Sequence, residues 1–221
     1  MSETQDTPPL SDAIKAATWS NHQAAEDHGY TQELLNGELP LEDFAALVAQ
    51  HYFAYVALEE TARALRDDPV AGSVLFPELE RVPALERDLA FLYGEGWRQA
   101  IAPNLPTTTY VARIRQMTEW PAGFVAHHYT RYMGDLSGGQ FIRQVAERTY
   151  GLTDRRGVEF YVFDTLDSLP KFKNAYRAGL DALPVDDAER ERMIGETRLA
   201  YQLNVEVFAA LGRARGARVA A

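Results

Sequence analysis

Ala126-His127-His128-Tyr129-Thr130-Arg131-Tyr132-Met133-Gly134-Asp135-Leu136-Ser137-Gly138-Gly139-Gln140-Phe141 is the stretch that decides how the rest of the chain is read. Apolar residues on both sides of its centre recur at helical spacing. Phe124, Val125, Tyr129, Tyr132 and Met133 come before, and Phe141, Ile142 and Val145 after. Glycines and a serine interrupt the middle. Each glycine lowers helix propensity by about 1 kcal/mol relative to alanine, so the helix is predicted to weaken or kink there. Gly134 and Gly138 are one turn apart. That spacing sets two bare patches of backbone on one face, where something flat and bulky can lie against the main chain. Close helix–helix packing also uses small residues and is the plain alternative. Asp135, in the same turn, fits packing less well, because a buried carboxylate needs a partner or a proton. A bent helix carrying an embedded carboxylate is the pattern of a pocket roof.

The chain of 221 residues is long enough for one substantial core, with about 70% of its extended surface buried on folding. Its hydrophobic fraction of 46% and aromatic fraction of 11% are those of a globular protein. Without cysteine there is no disulfide, thiolate ligand or thiol nucleophile, which suits a reducing cytoplasm. The start, residues 1–9, is polar and acidic and does not read as a signal peptide. No segment approaches the roughly 18 unbroken apolar residues of a membrane span. A net charge of −10 disfavours a nucleic-acid partner, which would need a basic stripe, but leaves room for an anionic small ligand held by local cations.

Every durable pattern in the chain has a helical period, and no convincing strand run or internal repeat is found. The first predicted helix runs from Leu10 to about His28, with Ser11 as N-cap. Ile14, Thr18, His22 and Glu26 lie on one face, and Lys15 sits two turns before His22. A break with one short turn over 31–36 follows, then a long helix from Pro40 to Arg66. Further helices are predicted over 83–93, from a cap at Thr107 or Thr108 to Glu119, from Pro121 to about Tyr150, and over 153–160. Ser168 caps another, over 169–183, and a last long one runs from Asp186 to Leu211. The reading is all-α: one domain of about eight helices over residues 10–211, between a disordered tail at 1–9 and a flexible tail at 212–221.

The run from Tyr129 to Gln140 resembles the distal-helix signature of the haem oxygenase family, gapless and with the glycines and aspartate in register. The resemblance covers roughly residues 10–210, and it implies that haem b is sandwiched between a proximal and a distal helix. It makes His22 the iron ligand, within His22-Gln23-Ala24-Ala25-Glu26, with Glu26 fixing the imidazole tautomer. On the residues alone, an inward histidine is more often a hydrogen-bonded core residue than a ligand. The glycine backbone at Gly134 and Gly138 would lie over the haem plane, Asp135 would order a water network beside iron-bound oxygen, and Asn204 would join that network. Lys173 and Arg177, clustered with Lys171 in an otherwise acidic chain, would bind the propionates, assisted by Lys15 and Tyr129. Tyr201 stands where many relatives have phenylalanine and adds a hydroxyl near the pocket. The other histidines read as structural: His28 at a helix end, His51 mid-helix, and His127 and His128 on the distal helix's outer side or in a nearby polar network.

The resemblance further implies an enzyme that uses haem as cofactor and substrate, consumes O2, and releases biliverdin, CO and Fe2+; the α isomer is the one it implies, since the propionate-binding positions match the family's. No flavin or nicotinamide motif and no cysteine is present, so electrons would come from a transient partner, a ferredoxin or a flavin- or NADPH-dependent reductase. The implied protein is a cytoplasmic monomer without a membrane anchor. Two rivals stand beside this reading. A haem carrier or sensor would use the same pocket without turnover. A non-haem di-metal oxidase would need inward carboxylates and Glu-x-x-His pairs, and the chain has no Glu-x-x-His.

Overall fold

Apolar stripes at helical spacing build the whole molecule. α1 (Leu10–Glu26), α2 (Gly29–Asn36), α3 (Leu41–Ala64), α4 (Val82–Tyr93) and α5 (Trp97–Ala100) form the first half. α6 (Leu105–Gln116), α7 (Pro121–Asp135), α8 (Gly138–Tyr150), α9 (Leu169–Asp181) and α10 (Asp187–Val219) form the second, and short 3-10 turns link several of them. This computed structural model describes residues 8–26 and 29–220, apart from the side chains of Ala24 and Glu26. No described helix is long and apolar enough to cross a membrane.

α7 lies at the centre, and every residue from Ala122 to Met133 is buried. α10 packs along α7 and α1, while α3 packs on α4 and α6. Tyr55 and Phe44 of α3, Phe124 of α7, Tyr110 of α6, Phe160 and Tyr176 fill the core between them. Burying side chains of this size stabilises the fold by about 1.5–3 kcal/mol each.

Several boundaries differ from the sequence expectation, each for a local reason. Ser11 is not a cap: α1 already begins at Leu10, and Ser11 gives its N–H (2.8 Å) and hydroxyl (3.1 Å) to the Asp181 carboxylate of α9. Asn104 rather than a threonine caps α6, its Oδ1 accepting from the Thr107 N–H at 2.8 Å. Residues 154–157 form turns, with Asp154 and Arg155 at positive φ (55° and 65°), and only a 3-10 turn over Glu159–Tyr161 follows. Ser168 caps α9 as expected, and Asp186, expected as the first residue of α10, is its cap. α10 continues past Leu211 through the segment expected to be a tail. There Arg215 pairs with Glu33 and Asp43, and Arg218 with Asp43, which is itself buried on α3.

Candidate active site

A cleft of about 330 Å³ opens where α1 and α10 face α7 and α8. α1 contributes Lys15, Thr18, Trp19 and His22, and α10 contributes Tyr201, Asn204 and Phe208. The His22 ring stacks on Trp19 (centroids 6.0 Å apart, planes at 2°) and meets Tyr201 edge-on at 6.2 Å. This imidazole stands beside the cavity, on the α1 face that carries the buried Ile14 and Thr18.

The roof is the kink foreseen in the sequence, sharper than expected. The helix stops at Asp135 and restarts at Gly138, and Ser137 between them takes φ −118°, ψ −88°. The Ser137 N–H still reaches the Gly134 carbonyl at 3.1 Å, so the break costs little hydrogen bonding. Gly134 and Gly138 both line the cleft, and a Cβ added to either would meet nothing within 4 Å. Their backbone therefore faces open space. Gly139 points the other way, where a Cβ would come within 3.0 Å of the Tyr161 ring.

Beneath the roof lies a buried polar network built from two pairs at helical spacing. Arg131 and Asp135 share a face of α7, and His51 and Tyr55 share a face of α3. The Tyr55 hydroxyl donates to Asp135 Oδ2. Arg131 donates through Nη1 to Asn204 Oδ1 (2.6 Å) and through Nη2 to His51 Nδ1 (2.9 Å), and its guanidinium sits 5.0 Å over the Tyr55 ring. Burial pushes the Asp135 carboxyl up to about 6, against the opposing pull of Arg131 and the Tyr55 hydroxyl. Burial and the Arg131 charge hold the His51 imidazole well below its usual range, hence neutral. Arg131 Nε, Tyr110 Oη and Tyr161 Oη are buried without a hydrogen-bond partner among the described residues. Polar groups so placed call for ordered water.

Comparison with known proteins agrees with this geometry. The family model for heme oxygenase matches residues 8–210. The chain belongs to the haem oxygenase family. It is 38% identical to heme oxygenase 1 of the cyanobacterium Synechocystis over 90% of this chain and 83% of that one. To heme oxygenase 1 of Gallus gallus it is 40% identical over 91% of this chain and 69% of that one. Among solved structures, the Synechocystis heme oxygenase-2 in complex with heme and NO superposes with a TM-score of 0.92 at 35% identity, covering 96% of this chain and 88% of that one. The Synechocystis heme oxygenase-1 in complex with heme gives 0.89 at 37% identity, with 96% and 98% covered. The all-α architecture is thus that of the family's solved members.

Of the residues singled out from sequence, His22, Lys15, Tyr129, Gly134, Asp135, Gly138, Arg177, Tyr201 and Asn204 converge on the one cleft. Lys173 stands at its edge, its Nζ 3.2 Å from Ser137 Oγ at the kink. Glu26 lies on α1, with its side chain outside the described residues, as is His28. One histidine departs from expectation. His51 is not merely structural, because it lines the cleft and holds Arg131. Of the two alternatives for His127 and His128, the structure matches the polar network and not the outer side, since both are buried. His127 Nε2 lies 2.7 Å from Glu196 Oε1, and His128 Nδ1 lies 2.6 Å from the Tyr176 hydroxyl. Burial holds both imidazoles below their usual range, His128 at about 3. Glu196 also takes two bonds from Arg113, at 2.8 and 2.6 Å. Burial opposes its ionisation, yet the His127 and Arg113 hydrogen bonds and the Arg113 charge outweigh it and lower the carboxyl to about 2.

Tyr55, Arg131, His51 and Tyr161 were missed by sequence reasoning. A signal existed for Arg131, a charge one turn before Asp135 inside an apolar helix. None existed for Tyr161, which arrives from an irregular segment.

Proposed function

We propose that the chain takes haem as both cofactor and substrate in this cleft. With O2 and externally supplied electrons it opens the macrocycle at a meso carbon, the α carbon, to biliverdin, CO and Fe2+. The observation that carries the reading is the bare backbone of Gly134 and Gly138, which faces the same open cleft as His22. A flat ring can approach such a surface closely, as it could not if side chains stood there. The relatives named for this activity, two of them solved with heme bound, support it.

The residues present fit the group. His22 offers an imidazole for the iron, and Trp19 and Tyr201 limit the ring's rotation. Lys15, Arg177 and Lys173 offer cations for two propionates, with the Tyr129 hydroxyl as a further donor. Met133, Ile142 and Phe208 supply apolar wall. When bound, haem supplies an iron that activates O2 beside the carbon to be oxidised.

What the chain contributes is orientation and proton control. Asp135 accepts from Tyr55 and, lining the cleft, can hold water there. Asn204 and His51 hold Arg131, whose charge favours the ionised form of Asp135. Electrons come from a separate reductase or ferredoxin that docks transiently.

Hemin titration of the purified protein, followed by air and a competent electron donor, tests the proposal. One-to-one uptake followed by collapse of the Soret band into a biliverdin spectrum, with CO released, is the expected result. A Soret band that persists under verified reduction would reassign the cleft to haem carriage or sensing.

A further inference from the structure

We propose that His51 is a second working donor in the cleft: its Nε2–H hydrogen-bonds a small, electron-rich ligand held over the haem, dioxygen or a small anion such as azide or hydroxide. The inference rests on the reading of the cleft as a haem site and adds to it a residue in contact with the ligand.

The proton's position follows from the partner. A guanidinium only donates, so the Arg131 Nη2–H at 2.9 Å makes His51 Nδ1 an acceptor. The single proton of the neutral ring then sits on Nε2. A second proton is opposed by burial and by the Arg131 charge. Arg131 cannot swing away to release Nδ1, because Asn204 holds its other terminal nitrogen at 2.6 Å. The ring is also clamped, with Phe160 tilted against it at 5.2 Å and Tyr55 edge-on at 6.5 Å. His51 is 93% buried by its 7% exposure, and it lines the cleft. Among the described residues Nε2 has no hydrogen-bond partner, and it is not among the buried polar atoms sealed from every surface.

A histidine serving only the core would seal or pair both ring nitrogens. This one spends Nδ1 on Arg131 and keeps a donor of fixed direction for the cleft. It stands on the distal side, since its own helix supplies Tyr55 to Asp135. The glycine roof provides no side-chain donor, so His51 complements it. Asp135 accepts hydrogen bonds and orders water, whereas His51 donates and favours negative charge on a bound ligand.

The test has two arms. In the hemin-free protein labelled with 15N, the His51 ring nitrogens should report the Nε2–H tautomer; a proton on Nδ1 overturns the proposal. In the ferric hemin complex, azide affinity is then measured for the parent protein, His51→Leu, His51→Asn and His51→Gln, with hemin affinity as the control. His51→Asn keeps an acceptor for Arg131 but loses the donor, while His51→Gln places an amide N–H near the Nε2 position. Azide binding should weaken tenfold or more in His51→Leu and His51→Asn, as for loss of a hydrogen bond to a charged group, and recover in part in His51→Gln. Normal hemin uptake with unchanged azide affinity overturns the role of His51 alone. Loss in His51→Leu but not in His51→Asn also overturns it, leaving His51 only to position Arg131. Failure of the parent protein to take up hemin removes the functional reading and this inference together.

Discussion

Gly134→Ala should strengthen the hemin-free fold and weaken the haem complex in the same molecule. Gly134 lies within the last turn of α7, and an added Cβ would meet nothing within 4 Å. The substitution therefore brings no clash, and alanine in a helix is favoured over glycine by about 0.5–1 kcal/mol. For a chain of this size that gain corresponds to a rise of about 1–4 °C in Tm. The open side of Gly134 is the cleft, however, so the methyl enters the space proposed for the haem face. A gap of about 0.5–1 Å forfeits a quarter to a half of each dispersion contact along that edge, so hemin affinity should fall about tenfold. Thermal unfolding of the hemin-free variant and a hemin titration on the same preparation read the two effects separately. Higher stability with unaltered hemin affinity would refute the placement of haem against this backbone.

Asp135→Asn should bind hemin normally yet lose biliverdin formation. In the parent protein biliverdin formation should decline as pH falls through about 6, because the raised carboxyl is ionised above that value and protonated below it; a flat profile would assign the network another role. The Lys173→Ala, Arg177→Ala double variant should loosen hemin or change the biliverdin isomer, and chromatography of the product decides it. Glu196→Gln should cost about 2–3 kcal/mol at pH 7, since the carboxyl is held at about 2 against an ordinary value of 4.5. The sign runs with a lowered acid: this stability is present above the ordinary value and lost as pH falls toward 2. Urea unfolding of parent and variant should therefore converge in acid, and a difference that persists there would rule out the ionised carboxylate as its source.

The all-α class, most of the helices and the kinked roof were legible in the residues, because helical period and glycine placement are local properties of the chain. So was the convergence of His22, Asp135, Arg177 and Asn204, which the distal motif and its resemblance linked before any geometry was known. Caps were less legible. Ser11 turns instead to Asp181, a carboxylate far off in sequence, and Asn104 rather than Thr107 or Thr108 caps α6. The end of α10 was misread because the partners of Arg215 and Arg218, Glu33 and Asp43, come from α2 and α3. His51 is the clearest case of a residue whose part the fold decides. Mid-helix in an apolar stripe, it reads as core; only the packing of α3 on α7 brings Arg131 to Nδ1 and leaves Nε2 to the cleft. Spacing along a chain determines which face a side chain shares. Its charge, tautomer and partner depend on burial and on neighbours from other elements, and those are set only when the helices pack.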